Sequence, residues 1–543
     1  MESLPGAKLS YVQLDPDRAC LRGTRTQLLD SIFQWFHDPD APRILWLSGP
    51  AGTGKSSVAS SVAEQLHSLG RLGASFRFDR DVVTADTPGQ LFGNLCYQLA
   101  HFDDQFRAAI LSAILHKPSH GMSLKLQART LLVEPIRGVE IIGPVVIIID
   151  ALDESGADDE RSRVTRETLV RVIVEELPTL PAFVKVLITS RDEGSISRWM
   201  PDCPSCLRKD ITDEKTTEED ILKYIQSCMR EIRKSRNLLD DWPGPNKELA
   251  LKNYSDGLFI WANVACAFLR SGYDPNIQLE ELLKASSDQR VTAEAKLDRL
   301  YTDIINRNRT VLAIPEDSWR YVVDSIVALK TPLTFRDLDL LLGLSVGCQT
   351  FTLVNGCQIK LTTTYHIISS LRPILRVDAE IKGVVRLLHK SVFDFLMGRA
   401  DESIRVNLDV QNGLLAMQCL EQMNHNLRYD ICGIGDTSLL NSEVDNLSDR
   451  IRNSIPDALR YACLYFANHL NDSSTPLPAL IDELDKFVKQ KLLYWIEVMG
   501  LLNQLLEAEV SLQILCDYLK VDFTASMVNN SIDMTFSETY CST

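Results

Sequence analysis

The stretch Arg43 to Leu66, RILWLSGPAGTGKSSVASSVAEQL, restricts the fold more than any other part of the chain. Ile44 to Leu47 are a short apolar run of the kind that fills a buried parallel strand. Gly49-Pro50-Ala51-Gly52-Thr53-Gly54-Lys55-Ser56 then fits the Walker A pattern G-x-x-x-x-G-K-[ST]. Beyond it, Val58, Val62, Leu66 and Leu69 recur at helical spacing up to Gly70, a helix stop. Strand, glycine loop and helix in this order make an anion cradle. Glycines let the main chain curl with its N–H groups inward, and the helix N-terminus adds partial positive charge. Lys55 is placed to reach β- and γ-phosphates, and the Ser56 hydroxyl to hold Mg²⁺. Gly49 through Ser57 are therefore the expected nucleotide-contacting residues.

A second signal lies 95 residues beyond Lys55, in PVVIIIDALDE. Val145 to Ile149 are five β-branched residues that predict a fully buried strand, and Asp150 ends it. A carboxylate at the C-terminal end of such a strand, beside a phosphate loop, is a Walker B acid that binds Mg²⁺ directly or through water. Asp153 and Glu154 follow at the top of the same strand, and one of them is read as polarising the attacking water. The alternative is that they are solvated acids serving the helix near 163–176. Phe183 to Ile188 predict a further strand, ending in Thr189-Ser190-Arg191. Arg191 is placed to tell triphosphate from diphosphate by one charge-assisted contact; otherwise it is a surface arginine at a strand end.

These elements predict a parallel α/β sheet with helices on both faces and ligand groups at the strands' C-terminal ends. At 543 residues the chain exceeds one core. The expected division is a lead-in segment 1–42, a nucleotide domain 43–212, a helical domain 213–310, a winged helix 311–400, a helical domain 401–520 and a loose tail 521–543. From 213 the pattern turns helical, with a cap-like Thr217 and an apolar helix from Tyr254 to Arg270 containing Gly257. PILRV and VVRLLH are two short strands among short helices, hence the winged helix. Ile455, Leu459, Ala462, Cys463, Phe466 and Leu470 form one apolar stripe, a helix packing face.

The net charge of −16 argues against broad nucleic-acid or anionic-membrane binding. No apolar run is long enough to span a bilayer, and MESLPGAKLSYVQLD has no secretory pattern. Thirteen scattered cysteines fit a reducing, cytoplasmic setting. Cys203-Pro-Ser-Cys206 lacks a second pair and reads as a loop with two thiols rather than a zinc site.

Several stretches together resemble the NACHT-domain nucleotide switches of fungi, among the signal-transduction NTPases with numerous domains (STAND). They are CLRGTRTQLLDSIFQW, ILWLSGPAGTGKSSVA, VVIIIDALDE, VLITSR, SDGLFIWANVACAFL, LDRLYTDII, VVRLLHKSVFDFL and LRYACLYFANHL with LLYWIEV. The resemblance runs from about Cys20 to Val498. It implies a nucleotide domain, a helical lid and a winged helix folded over ATP/ADP or GTP/GDP with Mg²⁺. In that picture the diphosphate form is closed, and exchange for triphosphate permits self-association or assembly with other NACHT proteins. By the resemblance, His389 is the winged-helix histidine that reaches back to the β-phosphate, with a strand-end histidine that meets no ligand as the alternative. The backbone from Leu21 to Arg25 borders the base. Ala151 stands where many members have glycine, a small change expected to leave the site intact. Members often carry an N-terminal effector and C-terminal sensor repeats such as WD40, for which this chain has no room. A truncated paralogue, a partial gene model or a partner for fuller proteins is expected.

The expected function is a slow nucleotide-dependent switch with weak ATPase or GTPase activity. Moving a population from 1:99 to 99:1 needs ~5.5 kcal/mol of differential affinity. One charged contact from Arg191 and one lost contact from His389, at ~1.5–3 kcal/mol each, are the right size. The alternatives are a faster P-loop ATPase and a nucleotide-binding scaffold that does not switch.

Overall fold

The computed structural model describes residues 18–78, 88–116, 122–156, 160–272, 274–285, 291–312, 316–344, 349–352, 358–361, 363–378, 383–435, 439–474 and 478–529. Contacts divide these into two compact units. The first runs to Tyr301 and includes His389–Ser391; the second holds Thr302–Leu388 and the residues from Val392 on.

The first unit is built on a five-stranded parallel sheet: β1 (Ile44–Ser48), β2 (Leu72–Arg77), β3 (Val145–Asp150), β4 (Val184–Ser190) and β5 (Cys206–Asp210). Their spatial order is β2-β3-β4-β1-β5, and every pairing is parallel. Side chains alternate between two apolar layers, which is why β1 and β3 read as continuous hydrophobic runs. Ile44, Trp46, Val145, Ile147 and Ile149 face a layer with Leu91, Leu95, Leu131 and Ile173. These come from α3 (Gln90–Phe102), the π-helical turn Ala128–Val133 and α7 (Glu160–Glu176). The layer also takes in α4 (Asp104–His116), and short helices α5 (Leu124–Gln127) and α6 (Glu134–Ile136) flank the π turn. Leu45, Leu47, Val146, Ile148 and Leu187 face the other layer, with Leu28, Ile32, Val58 and Val62 of α1 (Thr26–His37) and α2 (Lys55–Ser68). So α1, predicted as part of a lead-in segment, is a structural helix of the sheet. Its C-terminal end is fastened by Lys185, 1% exposed, whose ammonium donates to Asp38 O at 2.8 Å and Ala41 O at 2.7 Å.

β5 was not foreseen. Cys206 opens it, so the C-x-x-C stretch leads into an edge strand rather than staying a loop. Burial, with Cys203 alongside, pushes the Cys206 thiol up to about 12. After α8 (Gly194–Trp199) and β5, the unit continues in α9 (Thr217–Arg236), α10 (Pro245–Ser255), α11 (Phe259–Ser271), α12 (Pro275–Ala285) and the first part of α13 (Ala293–Leu312). Two expectations are corrected here. The N-cap of α9 is Thr216, not Thr217, and it makes no side-chain cap bond. The apolar helix expected from Tyr254 to Arg270 is broken, because Asp256 (φ 47°) and Gly257 (φ 79°) turn the chain between α10 and α11.

The second unit opens with α14 (Glu316–Ala328), α15 (Phe335–Leu341), a hairpin β6 (Gln349–Thr352)/β7 (Gln358–Leu361) and α16 (Thr363–Ser370). β8 (Leu375–Asp378) and β9 (Val384–Leu387) then pair antiparallel, at the positions of the two predicted strands. After α17 (Lys390–Asp394) come α18 (Leu408–Asn426), α19 (Leu447–Ser454), α20 (Asp457–Asn471), α21 (Pro478–Gln490), α22 (Leu492–Leu501) and α23 (Leu505–Asn529). The α20 stripe is buried, and Phe466 meets Phe487 and Trp495 at ring distances of 5.2 and 5.6 Å. The loose tail expected from 521 is corrected, since α23 continues to Asn529; the remainder lies outside the described residues. No helix among the described residues is long and apolar enough to cross a membrane.

Candidate functional site

The glycine loop joins β1 to α2, at the C-terminal edge of the sheet. Gly49, Gly52 and Gly54 have φ of 150°, 77° and 93°, the left-handed region that side chains resist. Two of them are also crowded. A Cβ on Gly49 would sit 2.5 Å from Ile211 Cγ2, and one on Gly52 would sit 2.0 Å from Ile260 Cγ2. Lys55 donates to Gly49 O and Pro50 O, both at 2.7 Å, folded back over the loop. Burial, only partly offset by Asp153, pushes the Lys55 ammonium down to about 8. A partly buried amine whose charged form is disfavoured gains from a polyphosphate, which supplies it with a counter-charge.

Asp150 ends β3 beside α2. Its Oδ1 accepts from Ser56 Oγ at 3.0 Å and from Thr189 Oγ1 at 2.5 Å, and its Oδ2 lies 3.7 Å from Arg77 Nε. Ser56 and Asp150 thus present two hard oxygen donors side by side, the donor chemistry Mg²⁺ takes. The loop and this pair fit a Mg-nucleotide.

Asp153 and Glu154 part company. Both lie in a 3₁₀ turn, Leu152–Glu154, not at the start of α7. Asp153 is 5% exposed and accepts from Arg191 N–H at 3.1 Å. Its Oδ2 lies 3.4 Å from Arg191 Nε and 3.5 Å from Lys390 Nζ. The solvated-acid alternative therefore fails for Asp153. Glu154 is partly exposed. Arg191 is no loose surface arginine, since its guanidinium is turned to Asp153 and its side chain is 17% exposed.

His389 packs within the first unit. Its Nδ1 accepts from Ser391 N–H at 3.1 Å and lies 2.8 Å from Ser391 Oγ, which meets Tyr301 Oη at 2.8 Å. Burial, then the charges of Arg191, Lys55 and Arg77, drive its pKa down to about 3. The ring is neutral, and because Nδ1 accepts a main-chain N–H, its proton sits on Nε2, a donor.

The structure thus gathers Lys55, Ser56, Asp150, Asp153, Arg191 and His389 in one unit, from segments up to 334 positions apart. Sequence reasoning missed Arg77, Thr189 and Lys390. Lys390 adjoins His389 in LLHKSVFDFL, and that adjacency was the available signal. With Lys55 and Arg191, the missed cations leave Asp150 and Asp153 well supplied with positive charge, the balance an incoming anion meets.

Residues 23–191 match the model of the Nephrocystin 3, N-terminal family, a span that holds the loop, Asp150 and Arg191. Over 515 residues the chain is 22% identical to the vegetative incompatibility protein HET-E-1 of Podospora anserina. Together these matches support a NACHT/STAND-type NTPase over residues 23–191. The match covers 88% of this chain but 34% of HET-E-1, so the chain spans about a third of that relative's length. Among solved structures, the chain is similar to a STAND protein with a tetratricopeptide repeat sensor from Pyrococcus horikoshii. That likeness has 12% identity and a TM-score of 0.37, covering 97% of this chain and 66% of that one. It is also similar to CDC6P from Pyrobaculum aerophilum, at 13% identity and a TM-score of 0.27, covering 76% and 96%.

Proposed function

We propose that the chain is a nucleotide-dependent switch. It binds Mg-ATP or Mg-GTP, hydrolyses it slowly to reset a closed diphosphate state, and on exchange self-associates or joins other NACHT proteins in incompatibility-type signalling. The nucleotide domain at 43–212, the helical domain at 213–310, the winged helix at 311–400 and the helical domain at 401–520 are proposed with it. The observation that carries this reading is the double clamp on Asp153 by Arg191 and Lys390, beside a neutral His389. An acid held by two cations is a poor general base, which favours slow turnover and leaves Glu154 to orient water.

In this reading Gly49–Ser57 grip the phosphates through main-chain N–H groups and Lys55. Ser56 and Asp150 would hold Mg²⁺, which would supply positive charge against the phosphates when bound. Arg191 exchanges its Asp153 contact for the terminal phosphate. His389 donates from Nε2 to a phosphate oxygen of the diphosphate form. Denaturing the purified protein and identifying released nucleotide by mass spectrometry tests this directly. Near-stoichiometric diphosphate is expected. Protein that neither retains nor takes up Mg-nucleotide overturns the reading.

A further inference from the structure

Two consecutive carbonyls of the glycine loop, Gly52 O and Thr53 O, are hydrogen-bonded by residues from beyond the loop and its flanking strand and helix. Ile260 N–H, in the first turn of α11, donates to Gly52 O at 3.0 Å. Arg25 Nη2 donates to Thr53 O at 2.9 Å. A curled loop can aim its N–H groups at an anion only if its carbonyls are turned away and satisfied elsewhere. Here the acceptors are met from behind, one by a helix beyond the sheet and one by a side chain from before it.

Arg25 is the junction. It is 2% exposed, and as the N-cap of α1 it has φ 55°, strain that a neighbouring structure must hold. Its main-chain N–H donates to Asp220 Oδ2 at 2.9 Å, and its Nη1 to Thr217 Oγ1 at 2.7 Å, both on α9. Its guanidinium lies 4.9 Å from the centre of the Phe259 ring, on α11. Asp220 is itself 2% exposed and is met by Lys223 Nζ at 3.2 Å. One planar fork therefore binds the loop, α9 and α11 together, a set of contacts that lysine cannot copy.

We propose that Arg25 is a positioning residue, holding the phosphate loop in its anion-binding shape and making that shape depend on the seating of α9 and α11. The proposal rests on the phosphate-loop reading above. By linkage, whatever draws Asp220 away from Arg25 weakens nucleotide binding, and bound nucleotide resists that withdrawal. The coupling runs through main-chain carbonyls, with no contact between Arg25 and a phosphate needed.

The test is calorimetry with Mg-ADP on the full chain, well below each variant's melting temperature. Wild type and Lys55→Ala set the scale. Arg25→Lys, which keeps the charge and loses the fork, is expected to weaken binding about tenfold or more while the molecules remain folded. Asp220→Asn, nearly isosteric, is expected to weaken it less. The double variant is expected to fall short of the sum, because both act on one junction. If Arg25→Lys and Asp220→Asn lower the melting temperature of the ligand-free protein but the folded variants bind like wild type, the contacts are merely structural and the proposal falls. If Lys55→Ala binds like wild type, the phosphate-loop reading itself has failed, whatever the other variants do.

Discussion

The two units handle buried polar side chains differently. In the first, buried acids are met by cations: Asp153 by Arg191 and Lys390, Asp150 by Arg77, Asp220 by Lys223. In the second, a buried histidine is met by neutral groups. His469, 0% exposed, donates from Nδ1 to Asn412 Oδ1 and accepts at Nε2 from Tyr461 Oη, both at 2.7 Å. Burial holds His469 well below its ordinary pKa, so it stays an uncharged link between α18 and α20. Asp324 of α14 lies 3.7 Å from Arg320, and burial raises its carboxyl to about 6. Paired buried charge is a costly way to stabilise a core, and neutral networks serve that purpose as well. The pairs around Asp150 and Asp153 gather at the ends of β3 and β4, as the proposed switch expects of a site that takes a charged ligand.

That contrast can be broken by experiment. The largest effect is expected of Lys55→Ala, which should lower Mg-nucleotide affinity by at least about a hundredfold, read by calorimetry. Unchanged affinity would refute the assignment of the loop. Next, Glu154→Gln should slow hydrolysis about a hundredfold or more in single-turnover assays while binding is preserved. Should Asp153→Asn slow it and Glu154→Gln not, the clamped acid is the base after all.

The second unit offers a control in which charge is a burden. Asp324 titrates near 6 folded against an ordinary 3.8. The folded state therefore holds a proton between about pH 4 and 6 that the unfolded chain gives up. Its stabilising share is full below about 4 and is lost as pH rises through 6, by ~3 kcal/mol. Urea melts of Asp324→Asn should lack that decline and exceed wild type at pH 7.5; equal slopes would remove Asp324 as its source.

His389→Ala should raise the Mg-ADP off-rate about tenfold and shift sizing profiles towards larger assemblies. An unaltered off-rate takes the ring out of the site. Smallest is Ala151→Gly. Ala151 has φ 57° and ψ 47°, a conformation glycine adopts freely. The expected outcome is a stability gain of under ~1 kcal/mol in urea melts with nucleotide affinity unchanged.

The sheet was legible where both faces of a strand are buried, because β1, β3 and β4 are then mostly apolar, with Lys185 of β4 an exception that its carbonyl partners satisfy. β5 was not, for the opposite reason. As an edge strand it carries Arg208, paired to Asp192, and Lys209, near Glu214, charges that hide a strand pattern while they blunt the edge. The loop and Asp150 were legible because spacing encodes them. The difference between Asp153 and Glu154 was not, since only burial and the approach of Lys390 from 237 positions away separate two adjacent acids. Arg25 could be quoted as part of a stretch, but its work lies in contacts with residues 28 to 234 positions distant, which no local pattern records.

One consequence follows from the way α1 is anchored. Arg25 secures its start and the Lys185 ammonium the carbonyls just past its end, so both ends of the rod are tied. Disturbance beneath the sheet at Lys185, remote from any phosphate, should be felt at Thr53 as a change in the pitch of the loop.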